Sequence, residues 1–353
     1  MRQPTRLDLP GPPRLRHRRR GFTLVELLVA LAVIGVLMAF LIPAVQTARE
    51  AGRRARCLSQ LRQIGLAIQS YASTYTSFPP LCPPTFNPLT GRTSWNMSYS
   101  AFARMLPELD LAVWFHAINF GQFPTIGFTL EANNTVMRNT LAIALCPSDT
   151  VVPVPGYGRT NYRFCLGPTP FFTYVPGYPM SDAGPFSMRK ILVPANFTDG
   201  LSHTIGASER LQGDWTRGIY RQGGDYLLTE QSLSVFEGDA DRAVALCSTT
   251  DPATNPADSR GGETWFLSGL TFSNYNHCQT PNPKQRECTN GITLDSFYNR
   301  ALRSGVISAT SRHPGGVNVL MMDGSARFVG DGIDLNLWRA VSTRSGGEVI
   351  DWD

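Results

Sequence analysis

Lysine is nearly missing from this chain. Lys190 and Lys284 are the only two, and the remaining basic residues are arginines, a bias that reads as genome composition rather than function. Nucleotide and hydrolase signatures are missing as well. There is no P-loop, no H-E-x-x-H and no G-x-S-x-G, which leaves enzyme as the weaker class. No C-x-x-C occurs among the seven cysteines (Cys57, Cys82, Cys146, Cys165, Cys247, Cys278, Cys288), so zinc-ribbon, metal-thiolate and thioredoxin-like readings are poor. The chain also has no internal repeat and no second long apolar run. The net charge of +5 leaves no footprint for nucleic acid, because residues 1–21 carry seven Arg and one Asp. The rest of the chain holds 25 basic and 26 acidic residues and is close to neutral.

What is present bounds the architecture. At 353 residues the chain holds two average domains or one large one, and 42% hydrophobic content is enough for a core. Gly and Pro number 32 and 26, together above ordinary usage, which favours a loop-rich β domain over a helical bundle. Cys278 and Cys288, with Pro281 and Pro283 between them, form a candidate disulfide stapling a loop. An odd cysteine count leaves at least one thiol free or intermolecular.

Residues 18–29 read Arg-Arg-Arg-Gly-Phe-Thr-Leu-Val-Glu-Leu-Leu-Val: a basic run, one glycine, then an apolar helix with a lone carboxylate. Phe22 to Ile42 carries Glu26 as its only charge, and a helix of that length spans about 31 Å, the thickness of a hydrocarbon core. The arginines at 14, 16, 18, 19 and 20 keep the N-terminus cytoplasmic. A secretory signal has a shorter apolar region, usually 7–15 residues, ending at small residues. A twin-arginine signal matches Arg19-Arg20 superficially but is less hydrophobic and does not favour an intramembrane Glu. Such a carboxylate costs up to about 2.5–3.5 kcal/mol at the bilayer centre and implies a partner. The bland alternative is that Glu26 is simply tolerated near the membrane face.

Pro43 predicts a kink, since its ring removes a helical hydrogen bond. Beyond it an amphipathic helix is expected from Ala44 to about Tyr75, with Leu58, Leu61, Gly65, Ile68, Ala72 and Tyr75 on one stripe. Arg49, Arg53, Arg54 and Arg56 face lipid headgroups, acidic neighbours or solvent. Phe78-Pro79-Pro80-Leu81-Cys82-Pro83-Pro84 then stops the helix. Short alternating segments come next, among them Asn161–Leu166, Thr204–Ala207, Thr264–Leu267 and Val317–Met322, with one further helix around Ala101–Ile118.

The N-terminal segment resembles the processing signal of type IV prepilins and type II secretion pseudopilins. The resemblance implies cleavage between Gly21 and Phe22 by a membrane aspartic prepilin peptidase, methylation of the new amino group of Phe22, and pairing of Glu26 with an N-terminal ammonium during assembly. It also implies the pilin architecture: a basic leader (1–21), an N-terminal helix (22–75, transmembrane over 22–42) and a large β-rich head (76–353). The fold class is thus α+β, a long helix packed on a mainly antiparallel head.

Further segments extend the likeness. They are Ser94-Trp95, Ala103–Pro107, Leu145–Asp149, Phe197–Thr204, and above all Ser311-Arg312-His313-Pro314-Gly315-Gly316-Val317-Asn318-Val319 running into Asp323-Gly324. As a set they resemble a large bacterial family of pilin-like proteins with a domain of unknown function closed by a His–nine–Asp-Gly motif. Val317–Met322, Asp323-Gly324 and Ser325–Val329 read as a β-hairpin with Asp-Gly at its turn. His313 lies in the loop leading into it, and a structural hydrogen bond is the preferred role over catalysis with Asp323. Asp323, Asp331 and Asp334 raise a calcium alternative, although Asp-Gly pairs form turns by default and no EF-hand pattern is present. Asp239 and Asp241 fall in a polar loop. Trp95, Trp114, Trp215 and Trp265 offer a sugar platform or, more ordinarily, core.

The expectation is a single-pass subunit of the inner membrane with its head periplasmic or extracellular. Its partners would be the prepilin peptidase/methyltransferase and other pilin-like subunits, with no nucleic acid and no cofactor. The rival reading is an anchored surface or periplasmic binding protein for glycan or protein, using the stem only as an anchor. A tethered enzyme is a third class and needs a convergent polar pocket in the head.

Overall fold

The computed structural model describes residues 23–81, 85–87, 92–94, 99–120, 129–149, 156, 158–170, 183–187, 190–216, 218–230, 239–291 and 303–348. Gly21, Phe22, Cys82 and Trp95 lie outside them.

Thr23 opens α1 (Leu24–Tyr75) through a reciprocal capping box. The Glu26 carboxylate accepts from the Thr23 N–H and hydroxyl, both at 2.9 Å, while the Glu26 N–H donates to Thr23 Oγ1 at 3.3 Å. The helix runs through Pro43 as one element rather than ending there. The carbonyl of Pro43 accepts from the Thr47 hydroxyl at 2.9 Å.

Packing divides the chain between Arg49 and Glu50, within α1. From Leu24 to Ile42 the side chains are exposed all round, and the segment is long and apolar enough to cross a membrane. From Glu50 onward the helix instead carries one buried stripe: Cys57, Leu61, Ile64, Gly65, Ala67, Ile68 and Ala72. That stripe is wider than the expected one and starts a residue earlier. Tyr75, placed on it by spacing, is half exposed at the helix end.

The head then runs β1 (Thr85–Asn87), β2 (Arg92–Ser94), α2 (Ala101–Arg104), α3 (Ala112–Ala117), α4 (Thr129–Met137), β3 (Tyr162–Cys165), β4 (Ile205–Glu209) and β5 (Tyr226–Thr229). It continues with α5 (Ala240–Thr249), β6 (Ala257–Asp258), β7 (Asn274–Tyr275), β8 (Cys288–Asn290), β9 (Gly305–Val306), β10 (Gly316–Met321), β11 (Ala326–Gly330) and α6 (Leu335–Ala340). The main sheet has the order β11-β10-β4-β3-β7, a second has the order β6-β5-β8-β9, and β1 pairs with β2. Antiparallel pairings dominate, with β3–β7 and β5–β8 parallel. The architecture is α+β, a long N-terminal helix and a mixed-sheet head.

Two local expectations change. The helix expected over 101–118 is broken into α2, a 3-10 turn at Pro107–Leu109 and α3. Pro107 cannot donate to a continuing ladder and Asp110 adopts a left-handed φ of 60°, which ends the turn. Thr264–Leu267 is not a strand; only Leu267 makes an isolated bridge, to Tyr99.

The candidate disulfide between Cys278 and Cys288 is not formed. Cys288 is bonded to Cys247, and Cys57 to Cys146. Cys247 lies on the buried face of α5, where its Cα stands 5.1 Å from that of Cys288 on β8, within bridging range. The Cys278 thiol sits in the same small core but donates to the Pro168 carbonyl at 3.4 Å.

One buried acid makes the head pH-sensitive. Asp225, just before β5, accepts from the Arg221 N–H at 2.8 Å, and its other oxygen has no hydrogen-bond partner among the described residues. Burial pushes its pKa up from 3.8 to about 7; the Arg221 hydrogen bond opposes this and Asp214 adds to it. The folded state therefore holds a proton that the unfolded chain releases, so stability falls as pH rises from about 4 to about 7 and the deficit persists above. Asp225→Asn is expected to raise the melting temperature at pH 8 and leave it nearly unchanged at pH 4. Equal effects at both would refute the assignment.

Candidate functional site: the stem joint

The His–nine–Asp-Gly stretch touches α1 at both of its ends. Its two ends lie at opposite ends of β10, since Gly316 pairs with Gly330 while Asp323-Gly324 forms the β10–β11 turn. His313 and Asp323 are therefore not a catalytic pair, and each end of the motif meets a different point of α1.

At the first point His313 reaches Glu50. Its Nδ1 stands 2.7 Å from Glu50 Oε1, and its Nε2 stands 3.2 Å from Glu209 Oε1. Glu209, the last residue of β4, is held by Asn318 of β10, whose N–H donates to Oε2 at 2.9 Å and whose Nδ2 donates to Oε1 at 2.8 Å. Arg53 donates to Glu50 at 2.8 Å through Nε, and the Ser148 hydroxyl donates to it at 3.3 Å. Burial disfavours the charged imidazolium, yet the hydrogen bonds and charges of Glu209 and Glu50 prevail and raise the His313 pKa above its ordinary value. For Glu50 burial acts upward, but the hydrogen bonds and charges of His313 and Arg53 bring the net shift below the usual carboxylate value. Farther along the helix, the Cys57–Cys146 disulfide ties α1 to the loop before β3. The Tyr162 hydroxyl of β3 donates to Gln60 at 2.8 Å, and the Arg54 guanidinium lies 3.5 Å from the centre of the Phe328 ring on β11.

At the second point two glycines meet. A Cβ on Gly65 would stand 2.7 Å from Leu320 Cδ1 and 2.9 Å from both Cα and O of Gly324. Gly324 itself has a φ of 90°, which suits glycine. Gln69 donates to the Met322 carbonyl. Glu50 and Gly65 are about 22 Å apart along a helix, a span that β10 and its flanking loops cover in the same direction. The strand β10 and the loops at its two ends thus carry His313 and Gly324 to two contacts on one helix.

Two of the other segments singled out in the sequence brace this region. Leu145–Asp149 supplies Cys146 and Ser148, and Asp149 accepts from Asn161 and Gln212 at 2.7 and 2.9 Å. In Phe197–Thr204, the Leu201 and Thr204 carbonyls accept from Asp323 and Met322 at 3.2 and 2.8 Å, bracing the hairpin turn. Asp199 accepts from the N–H groups of Gly346 and Gly347 and secures the chain after α6.

The acidic trio is not brought together. Asp323 accepts from Ser325 at the turn, Asp331 accepts from Asn282 at the far end of the hairpin, and Asp334 caps α6. Asp239 is likewise a helix cap, for α5, and Asp241 pairs with Arg339 at 2.6 Å. Trp265 is buried and stacks with Trp114 at 6.4 Å between centroids, so these two serve the core rather than a sugar platform.

Sequence reasoning missed Glu50, Glu209 and the Cys57–Cys146 pair. A signal existed for Glu50, which is the only acid in α1 after Glu26 and stands among arginines. Cys57 was also readable, four residues before Leu61 on the buried stripe.

Comparison with known proteins agrees with this layout. Residues 16–42 match the prokaryotic N-terminal methylation motif, which marks a prepilin-processed, pilin-like protein anchored in a membrane by its apolar helix. That points to a structural protein rather than an enzyme. No curated protein and no solved structure matches the chain. Residues 46–336, most of the chain and every element of the stem joint, match the family described as protein of unknown function (DUF1559), and the chain belongs to that family.

Proposed function

We propose that this chain is a subunit of a type II secretion or type IV pilus-like assembly. In this reading prepilin peptidase cuts it after Gly21, Phe22 is methylated, and the subunit packs against its neighbours through Leu24–Ile42. The N-terminus starts on the cytoplasmic side, held there by the arginines of residues 14–20, and the head stands outside the inner membrane.

One observation carries the reading: an apolar helix exposed on every side has a single carboxylate, Glu26, in its first turn. A simple anchor would be served as well by an all-apolar helix. In the lone chain Glu26 caps its own helix through Thr23. In an assembly it would face the ammonium that cleavage creates at Phe22, whether its own or a neighbour's.

Mass spectrometry of protein from native membrane is expected to give a chain that begins at methylated Phe22. Glu26→Gln keeps a side chain able to cap and removes the charge, whereas Glu26→Ala removes both. Both are expected to abolish incorporation into filaments while the head stays folded. Normal incorporation of Glu26→Gln would show that capping, not charge, is what assembly needs. Unchanged function of both would favour an anchored binding protein.

A further inference from the structure

We propose that Cys57, Cys146, His313 and Glu209 form a four-ligand site for a zinc-class divalent cation when the two cysteines are thiols, with the disulfide as the oxidised state of the same site. The inference is independent of how the chain assembles.

The ligand atoms of these four buried residues all lie within 4.8 Å of one another. Around a tetrahedral zinc, with about 2.3 Å to sulfur and about 2.0–2.1 Å to nitrogen or oxygen, ligand atoms stand about 3.3–3.8 Å apart. Here Cys146 Sγ is 3.8 Å from His313 Nε2 and 3.9 Å from Glu209 Oε1, and Nε2 is 3.2 Å from that oxygen. The two sulfurs must separate from bonding distance, and each sits on its own element, α1 or the loop before β3.

The surroundings are those of a metal centre. His313 turns its other nitrogen to the Glu50 carboxylate at 2.7 Å, the outer partner that fixes ring orientation and tautomer for a ligating histidine. Glu209 is oriented by two donors from Asn318. Nε2 thus faces a carboxylate oxygen and a sulfur, a position that either a proton or a cation fills. A small cavity lined by Cys146, Asp149, Glu209 and Arg312 borders the cluster. Thiolate and imidazole with one carboxylate select a borderline-soft ion over calcium or magnesium.

The test uses the full chain in detergent. A phosphine reductant opens the disulfide: the phosphine takes oxygen from water and becomes the oxide, and each sulfur gains one hydrogen. On binding Zn²⁺ each thiol releases its proton to solvent. The reduced, folded chain is expected to retain about one zinc after gel filtration, and the oxidised chain none. Co²⁺ in its place should give a thiolate-to-cobalt charge-transfer band. Cys57→Ser with Cys146→Ser should remove both signals, and Cys247→Ser with Cys288→Ser should leave them. His313→Gln removes a ligand and Glu50→Gln only its support, so Glu50→Gln is the variant to read if the first fails to fold; about 10–100-fold weaker binding is expected. Zinc uptake by the reduced chain no greater than by the Cys57→Ser/Cys146→Ser chain, with near-ultraviolet circular dichroism showing both folded, would overturn the proposal. So would uptake that survives oxidation, or a cobalt complex without the charge-transfer band.

Discussion

Gly65→Val is expected to destabilise the head more than any other single side-chain change on α1, by about 3 kcal/mol, the upper end of the usual cost of overpacking. The added Cβ alone meets the Gly324 backbone at 2.9 Å and Leu320 at 2.7 Å, and Gly324 cannot retreat without breaking the turn that fixes β10 against β11. Helix propensity argues the other way, since replacing an interior glycine by alanine gains up to about 1 kcal/mol in an open helix. Gly65→Ala thus sets propensity against contact. The contact should win, because the nearest obstacles include backbone atoms and not only the end of a flexible side chain. Leu66→Ala, on the adjacent exposed position, should change the stability by no more than about 0.5 kcal/mol. Denaturant unfolding of the three variants decides the matter. A Gly65→Val chain as stable as the parent would mean that the helix does not approach the turn this closely.

The parts of this architecture that were readable from sequence are those set by local pattern. The apolar run and its glutamate, the Pro-rich stop after Tyr75, strands β3, β4 and β10, and the Asp-Gly turn all arise from spacing or turn chemistry within a few residues. What stayed hidden depends on pairs far apart in the chain. Cys57 and Cys146 are separated by 89 positions, Cys247 and Cys288 by 41, and Glu50 meets His313 across most of the chain. Choosing Cys288's partner by proximity favoured Cys278, whereas the fold brings α5 over β8 and supplies Cys247. The motif itself was found as a string, but its purpose was not legible. Only the position of α1 shows that the two ends of the motif meet one helix at two points.

Arg210→Met is expected to be the most damaging change away from α1. Arg210 follows β4 and meets Glu287, just before β8, through two parallel hydrogen bonds of 2.8 Å, with both side chains fully buried. The same guanidinium donates to the Ser308 carbonyl at 2.7 Å, so one side chain links β4, the β8 strand and the segment after β9. A pair of this kind adds little net stability over an apolar replacement of the same volume, because both charges are desolvated. Removing one partner alone typically costs about 3–5 kcal/mol, since the other charge is left buried. The single variants Arg210→Met and Glu287→Leu should therefore each fall by that amount, while the double variant should recover much of the loss. The recovery, read as a coupling energy from a double-mutant cycle in denaturant, is the decisive quantity. If the two single losses simply add, the pair is not the unit that joins the two sheets. A strong coupling would establish that the main sheet and the β6-β5-β8-β9 sheet are locked at this point, independently of the stem joint that fastens α1.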